Sequence, residues 1–180
     1  KGTALYHIYR ESTVGGYEKI ATIPYAEQPV FVDTSSYAEQ LSYRYKITTE
    51  DSCGHESGLS AYHNNIQLKV NKGSEGYDLE WESYDGFNIN SYDIYRGSSP
   101  DDMEKIYEVA GSITKYSDVV VPPCAVYYQI KADIPAGNNT YGYSRIVSNI
   151  SSNGAVPAEP VIRGPQEICF GNTATLDAGN

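Results

Sequence analysis

Two stretches of this chain are near copies of each other and begin 86 residues apart. Tyr6-His7-Ile8-Tyr9-Arg10 recurs as Tyr92-Asp93-Ile94-Tyr95-Arg96. Three further pairs follow in the same order: 17–20 with 103–106, 31–33 with 116–118, and 45–47 with 128–130. A repeated order of short runs rich in Tyr and Ile predicts one type of domain used twice.

Alternation of apolar and polar residues predicts short strands in the second repeat. In Tyr77-Asp78-Leu79-Glu80-Trp81 the apolar side chains share one face and the acids share the other. No long stretch shows the spacing of an amphipathic helix, so an all-β antiparallel sandwich is predicted. The predicted strands are 66–70, 77–81, 92–96, 105–110, 115–119, 126–132 and 144–149. The predicted core has Trp81 at its centre, packed with Leu79, Tyr92, Ile94, Tyr128 and Ile130.

The first repeat lacks its beginning. Five strands are predicted for it (5–10, 17–22, 30–33, 41–49 and 57–62), and the first two strands of the second repeat have no counterpart. Residues 151–160 have the composition of a linker, and 161–180 resemble the opening strands of a third domain. We therefore expect a truncated module at 1–64 and a complete module at 65–150, within a longer protein.

The ordered strands resemble fibronectin type III modules over residues 5 to about 150. The residues that carry the resemblance are Leu79-Glu80-Trp81, the Tyr92–Arg96 run and an alternating pattern near the end of each repeat. That pattern is Tyr43-x-Tyr45-x-Ile47-x-Thr49 in repeat one and Val126-x-Tyr128-x-Ile130-x-Ala132 in repeat two. Tyr43 stands where such modules carry their corner tyrosine, and Val126 departs from the family pattern.

The last segment, Gly164 to Asn172, resembles the start of an immunoglobulin-like domain of large secreted and surface proteins of gliding and gut bacteria. The resemblance implies an extracellular or cell-surface protein built from tandem modules. Such units act as spacers, adhesive surfaces or appendages to enzymes. The implied partners are neighbouring domains of the same longer chain and a protein or glycan ligand.

Charge and cysteine content narrow the classes of function. A formal charge of −10 argues against nucleic-acid binding, which needs clustered Lys and Arg. No apolar run approaches the roughly 20 residues that span a bilayer. Cys53, Cys124 and Cys169 lack metal-binding spacing, and we expect no metal and no cofactor. Cys53 and Cys124 belong to opposite tips of the two modules, so no disulfide between them is expected within one chain.

The histidines and the clustered acids do not form a catalytic pattern. His7, His55 and His63 show neither a hydrolase motif nor paired metal-ligand spacing, so no enzymatic activity is expected. His7 occupies the outward position of Asp93 and is predicted to be solvated. Asp101, Asp102 and Glu104 offer oxygens for a weak calcium site, but solvated loop charge is the favoured interpretation.

Tyrosine is the main candidate for a binding residue, with 18 in the chain. Where alternating faces both carry Tyr, some rings must point outward, as predicted for Tyr9, Tyr95 and Tyr127. An exposed aromatic strip stacks on sugars or anchors a protein partner, whereas outward Tyr also stabilises a sheet by pairing across strands. The predicted function is therefore a non-catalytic structural or interaction module. The alternative is a carbohydrate-binding accessory module of a secreted polysaccharide-degrading enzyme.

The missing strands of repeat one leave half of its core uncovered, including Ile8, Tyr45 and Ile47. The segment 161–176 contains short strand-like runs with apolar side chains. One hypothesis is strand-swapped self-association, in which this tail covers the open repeat of another molecule. The simpler alternative is a thin remnant propped against repeat two, with a trailing tail.

Overall fold

The computed structural model describes residues 2–27, 30–120, 126–135 and 145–152, and its regular elements there are all β-strands. The predicted all-β class is confirmed. The strands are β1 (Thr3–Glu11), β2 (Tyr17–Pro24), β3 (Arg44–Asp51), β4 (His63–Asn64), β5 (Leu68–Lys72), β6 (Tyr77–Trp81), β7 (Ser91–Ser99), β8 (Asp102–Ala110), β9 (Lys115–Asp118), β10 (Tyr127–Asp133), β11 (Arg145–Val147) and β12 (Ser151–Ser152). No helix in this part of the chain is long and apolar enough to cross a membrane.

The first module is one antiparallel sheet with the strand order β2-β1-β3-β4. The β1–β2 hairpin turns at Gly15 and Gly16, which have φ angles of 96° and 79°. Side chains other than glycine rarely adopt this left-handed conformation, so the two glycines suit this turn.

The predicted strand at 30–33 is wrong, because the described residues from this segment pair with no neighbouring strand. Its counterpart in the second module, β9, pairs with β6. The described part of the first module contains no counterpart of β6, so this segment has no ladder to join. Isolated strands without a pairing partner leave their backbone groups to solvent.

The predicted strand at 57–62 is also corrected: a strand forms only at β4. Ser57 and Ser60 still follow β3, and their amides donate to the carbonyls of Thr49 and Ile47. However, the amides of Thr49 and Ile47 donate to the hydroxyls of Ser57 and Ser60 and not to backbone carbonyls. The serine side chains thus compete with the regular ladder.

The second module is a sandwich of two antiparallel sheets. One has the order β11-β10-β7-β8, with β12 also paired to β10, and the other has the order β5-β6-β9. Between them lies the core, with Trp81 packed edge-on against Tyr92. The predicted core is confirmed, since all its members are buried: Leu79, Trp81, Tyr92, Ile94, Tyr128 and Ile130. β12 extends the sheet two residues into the predicted linker.

A buried polar lock joins the two sheets of the second module. The Asp118 carboxylate on β9 is 3% exposed and accepts hydrogen bonds from Arg96 on β7 and from the Tyr128 hydroxyl on β10, each at 2.8 Å. Burial, followed by the bond to Asp118, raises the pKa of Tyr128. The lock fixes β9 against the opposite sheet.

The first module repeats this lock with Arg10, Asp33 and Tyr45. Asp33 accepts from Arg10 at 2.7 Å and from the Tyr45 hydroxyl at 2.9 Å. Burial of Asp33 opposes ionisation, but hydrogen bonds from Ser35, Tyr45 and Arg10 together lower its pKa. Burial and the bond to Asp33 raise the pKa of Tyr45 to about 12. The lock therefore holds the 30–33 segment in place even though no strand forms there.

Tyr43 behaves as the corner tyrosine that the resemblance implies. Its hydroxyl accepts a hydrogen bond from the backbone amide of Tyr37, six residues upstream, at 3.3 Å. Val126 occupies this position in the second module and is buried.

Among the described residues, nothing covers the inner face of the first sheet as β5 and β6 cover its counterpart in the second module. Ile47 is 45% exposed, whereas the equivalent Ile130 is 0% exposed. In the second module β5 and β6 supply Leu68, Leu79 and Trp81 to that side of the core. The described residues of the first module provide no such pair of strands.

Candidate functional site

The predicted aromatic strip is divided between the modules. Tyr95 on β7 and Tyr127 on β10 lie on the outer face of one sheet, near each other because Tyr127 is opposite Gly97. Tyr9 lies on the outer face of the first sheet, on β1. All three side chains are half-buried.

The rings of Tyr9 and Tyr95 are bound into polar networks. The Tyr9 hydroxyl donates to Glu56 at 2.7 Å, and Lys19 Nζ lies 5.9 Å from its ring centroid. The Tyr95 hydroxyl accepts from Arg145 at 2.7 Å, and Lys131 Nζ lies 4.0 Å from its ring centroid. Lysine therefore covers one face of each ring.

His7 is 4% exposed, so the prediction that it is solvated is wrong. It does point to the outer face, but Thr22 on β2 and Thr48 on β3 lie directly opposite it in the ladders. Its Nδ1 is 2.8 Å from the Thr22 hydroxyl, and its Nε2 is 2.8 Å from Glu50 Oε2. Side chains of neighbouring strands thus bury an outward position without a second sheet.

A second carboxylate completes a group that we call the His7 cluster: His7, Glu50 and Glu56. One potential ligand atom from each lies within 4.8 Å of the others. Thr48 donates to Glu56 Oε1 at 2.5 Å, and this bond, followed by that from Tyr9, lowers the pKa of Glu56. It is the one such grouping of His, Cys, Asp and Glu within the described ranges.

The second module has an equivalent cluster with a different charge pattern. Asp93 takes the place of His7 and is 9% exposed. The Glu50–Glu56 bridge corresponds to the β10–β11 pair Asp133 and Arg145. Each acid there has a cationic partner: Lys105 lies 2.6 Å from Asp93, and Arg145 lies 2.8 Å from Asp133.

Other candidates from the sequence are dispersed. Asp101, Asp102 and Glu104 are exposed at the start of β8 and form no ligand group within the described residues. His55 bonds to Asp51 in an exposed loop, where Cys53 is a free, exposed thiol. Cys124 and Cys169 lie outside the described residues.

The junction between modules consists of residues 62–65 and 82–87. The Asn64 amide is buried; it donates to the Ser83 carbonyl at 2.8 Å and accepts from the Asp85 amide at 2.7 Å. This two-way pairing ties the end of β4 to the loop after β6. Only residues 65–67 separate β4 from β5, so the chain has no flexible linker here.

Aromatic packing fills the rest of the junction. His63 hydrogen-bonds to the Tyr84 hydroxyl, and its ring packs edge-on against Phe87 at 5.9 Å between centroids. Burial raises the pKa of Tyr84 to about 12 and lowers the pKa of His63. A Cβ at Gly86 would lie 2.1 Å from His63 Nδ1, so a larger residue there would have to displace the His63 and Tyr84 side chains.

No protein family model and no curated protein matches this chain. Among solved structures, pectate lyase Pel3 from Pectobacterium carotovorum is similar with 26% identity and a TM-score of 0.44, over 53% of this chain and 29% of that one. A second crystal structure of the same enzyme gives 26% identity and a TM-score of 0.43, over 53% of this chain and 28% of that one. A two-fibronectin type III domain segment of chicken tenascin has 15% identity and a TM-score of 0.31, over 84% of this chain and 83% of that one. The chain thus spans under a third of the pectate lyase.

Proposed function

We propose that this chain is a non-catalytic structural and interaction segment of an extracellular or cell-surface multidomain protein, of bacterial origin, in which two modules act as a rigid spacer. The module order and the resemblance of the segment from Gly164 to Asn172 support an extracellular, multidomain protein. The contacts at the junction between the two modules support the role of a rigid spacer.

The hydrogen bonds and ring contacts at the junction between the modules are the main support for a rigid spacer. Asn64 reproduces backbone-like pairing with the loop of residues 83–85, and His63 packs on Tyr84 and Phe87. Flexible linkers rich in Gly and Ser let neighbouring domains reorient, whereas a three-residue connection next to the buried, doubly bonded Asn64 opposes this. A spacer of this kind sets both the distance and the angle between what lies on its two sides.

Residual dipolar couplings on the full chain test the proposal. Amides of β1 and β3 and amides of β7 and β10 should fit one alignment tensor in the wild type, since both modules tumble together. Gly86→Ala should give the two modules different tensor magnitudes, because the new methyl displaces His63 and Tyr84.

Gly58→Ala is the matched control, since a Cβ there meets nothing within 4 Å. It should leave the couplings on a single tensor. Different tensors for the two modules of the wild type would contradict a rigid spacer.

Carbohydrate binding is the second candidate function, favoured by the shared outer face of Tyr95 and Tyr127. Two neighbouring rings on one sheet face suit stacking on a sugar chain. A glycan array with the wild type and with Tyr127→Ala tests it. Binding that Tyr127→Ala removes, with Tyr25→Ala on the first module as control, would support an accessory module; no binding would oppose it.

A further inference from the structure

The His7 cluster brings an imidazole and two carboxylates together from three positions of one sheet. His7 lies on β1, Glu50 on β3 and Glu56 in the segment bridged to β3. We propose that this cluster is a binding site for a divalent transition-metal ion of the zinc class, held by His7 Nε2 and by one oxygen each from Glu50 and Glu56. The inference is independent of the spacer function.

The distances suit a small ion after a modest side-chain movement. Ligands at about 2.0–2.2 Å from a tetrahedral zinc ion lie a little over 3 Å from each other. His7 Nε2 and Glu50 Oε2 are 2.8 Å apart, and all three ligand atoms are within 4.8 Å of one another. A rotation of the exposed Glu56 side chain closes the remaining gap, the distance between Nε2 and Oε2 of Glu50 widens slightly, and solvent supplies the fourth position.

Each of two ligands already has a supporting hydrogen bond. The Thr22 hydroxyl contacts His7 Nδ1, so the ion has to replace only the hydrogen bond between Nε2 and Glu50, with loss of any proton on Nε2. Tyr9 and Thr48 both donate to Oε1 of Glu56, so Oε2 is left with Lys19 at 3.9 Å as its contact. Outer groups that orient histidine and carboxylate ligands in this way are typical of protein metal sites.

Comparison of the two modules explains why only the first would need an ion. The equivalent cluster of the second module supplies its own cations, Lys105 and Arg145, at the acids. In the first module the Arg145 position is occupied by Glu56, a second acid. Among the described residues, Lys19 is the one Lys or Arg bonded to either carboxylate. A divalent cation would restore the balance that the second module achieves with side chains.

The ligand set selects the class of metal. Calcium and magnesium prefer sites made of oxygen ligands, with six or more positions filled. A neutral imidazole with two carboxylates suits zinc and its first-row neighbours.

Calorimetric titration of Zn²⁺ into the chelator-treated full chain tests the site, in a background with Cys53, Cys124 and Cys169 replaced by Ser. One ion per chain is expected. His7→Gln should weaken binding at least about tenfold, and Thr22→Val should weaken it by about tenfold through the lost support.

Glu56→Arg is the sharper variant, because it copies the second module and changes an exposed residue. It should abolish zinc binding while the melting temperature without zinc is kept or raised. His55→Gln is the matched control and should bind as the parent does, since the His55 ring contacts Asp51 and lies outside the ligand group, although His55 precedes Glu56 in the same loop.

Two readouts separate the site from adventitious binding. Zinc should shift the ring nitrogens of His7 and not those of His63 in nitrogen-detected spectra, and it should raise the melting temperature of the parent but not of Glu56→Arg. The proposal fails if the parent binds no zinc, if Glu56→Arg and His7→Gln bind as tightly as the parent, or if His55→Gln removes the binding.

Discussion

Trp81 is the largest side chain in the core of the second module, and it is 3% exposed. Trp81→Ala should lower the free energy of unfolding of this module by about 3–5 kcal/mol, the usual cost of emptying a large aromatic site. Urea denaturation followed by circular dichroism measures the loss. A loss below about 1 kcal/mol would mean that Trp81 does not centre the core.

Trp81→Phe is the matched variant. The indole N–H is buried and has no hydrogen-bond partner among the described residues. An unsatisfied buried donor costs about 1–3 kcal/mol, so its removal offsets part of the lost packing. The phenylalanine variant should therefore be clearly more stable than the alanine variant.

His7 and Asp93 show where prediction from single residues was incomplete. Both occupy outward positions, as alternation predicts, yet both are buried. Long and hydroxyl-bearing side chains on the two flanking strands cover them, and which residues flank depends on the strand register. The alternation of apolar and polar residues indicates which face of a strand a side chain occupies. It does not indicate which side chains on the adjacent strands lie beside it.

At the scale of elements, the lock at Asp118 attaches β9 to the opposite sheet. Asp118→Ala removes the acceptor of Arg96 and Tyr128 and leaves a poorly solvated cation behind. Breaking a buried pair in this way costs about 3–5 kcal/mol. Tyr128→Phe keeps the ion pair and should cost less, about 1.5–3 kcal/mol for a hydrogen bond to a charged group.

The equivalent change in the first module, Asp33→Ala, should cost less than Asp118→Ala. The described residues provide no covering sheet there, so water can solvate Arg10 once its partner is gone. Chemical denaturation of both variants, resolved by module with backbone NMR, makes the comparison. Equal losses in the two modules would contradict this role of the covering sheet.

The junction should weaken on acidification. Burial lowers the pKa of His63 in the folded chain below its ordinary value of 6.5. The unfolded chain therefore binds more protons just below that pH, so stability is full above about 6.5 and falls as the pH drops towards the folded pKa. The His63 ring is partly open to solvent, which keeps the effect small.

Melting temperatures of the wild type and His63→Gln across the range from about pH 8 to pH 5 measure this effect. The wild type should lose more stability than the variant below about pH 6.5. Parallel curves would show that His63 is not responsible.

Among the described residues of the molecule, the inner face of the first sheet is left open, with Ile47 45% exposed. The proposed swap partner, residues 161–176, lies outside the described residues, so the swap stays a prediction. Light scattering on the chain with and without residues 155–180 should show a larger species that depends on the tail. Monomers in both cases, with unchanged melting temperature, would contradict the swap.

Ile47→Ser tests whether the inner face of the first sheet is the surface through which molecules associate. Ile47 is 45% exposed, so the change should cost the isolated monomer little stability. It should reduce association if the face is the contact. Unchanged association would show that another surface is used.

The sequence by itself determined the all-β class, the repeat, and the strands and core of the second module. Period-two alternation and the repeated runs depend on local spacing, and a residue such as Trp81 between two acids can face only inward. The residues of the Arg-Asp-Tyr lock, Arg10, Asp33 and Tyr45, recur in the second repeat, but only the structure shows that they bond to each other.

Three features follow from the tertiary structure alone. They are the lack of strand pairing at 30–33, the contacts at the junction between the modules, and the side chains that surround His7. A strand needs a partner at its edge, and the partner of 30–33 would come from residues far away in the chain. The His7 cluster depends on register between β1, β2 and β3 and on one bridge across a loop. These contacts join residues that are far apart in the chain, so the local spacing of residues does not predict them.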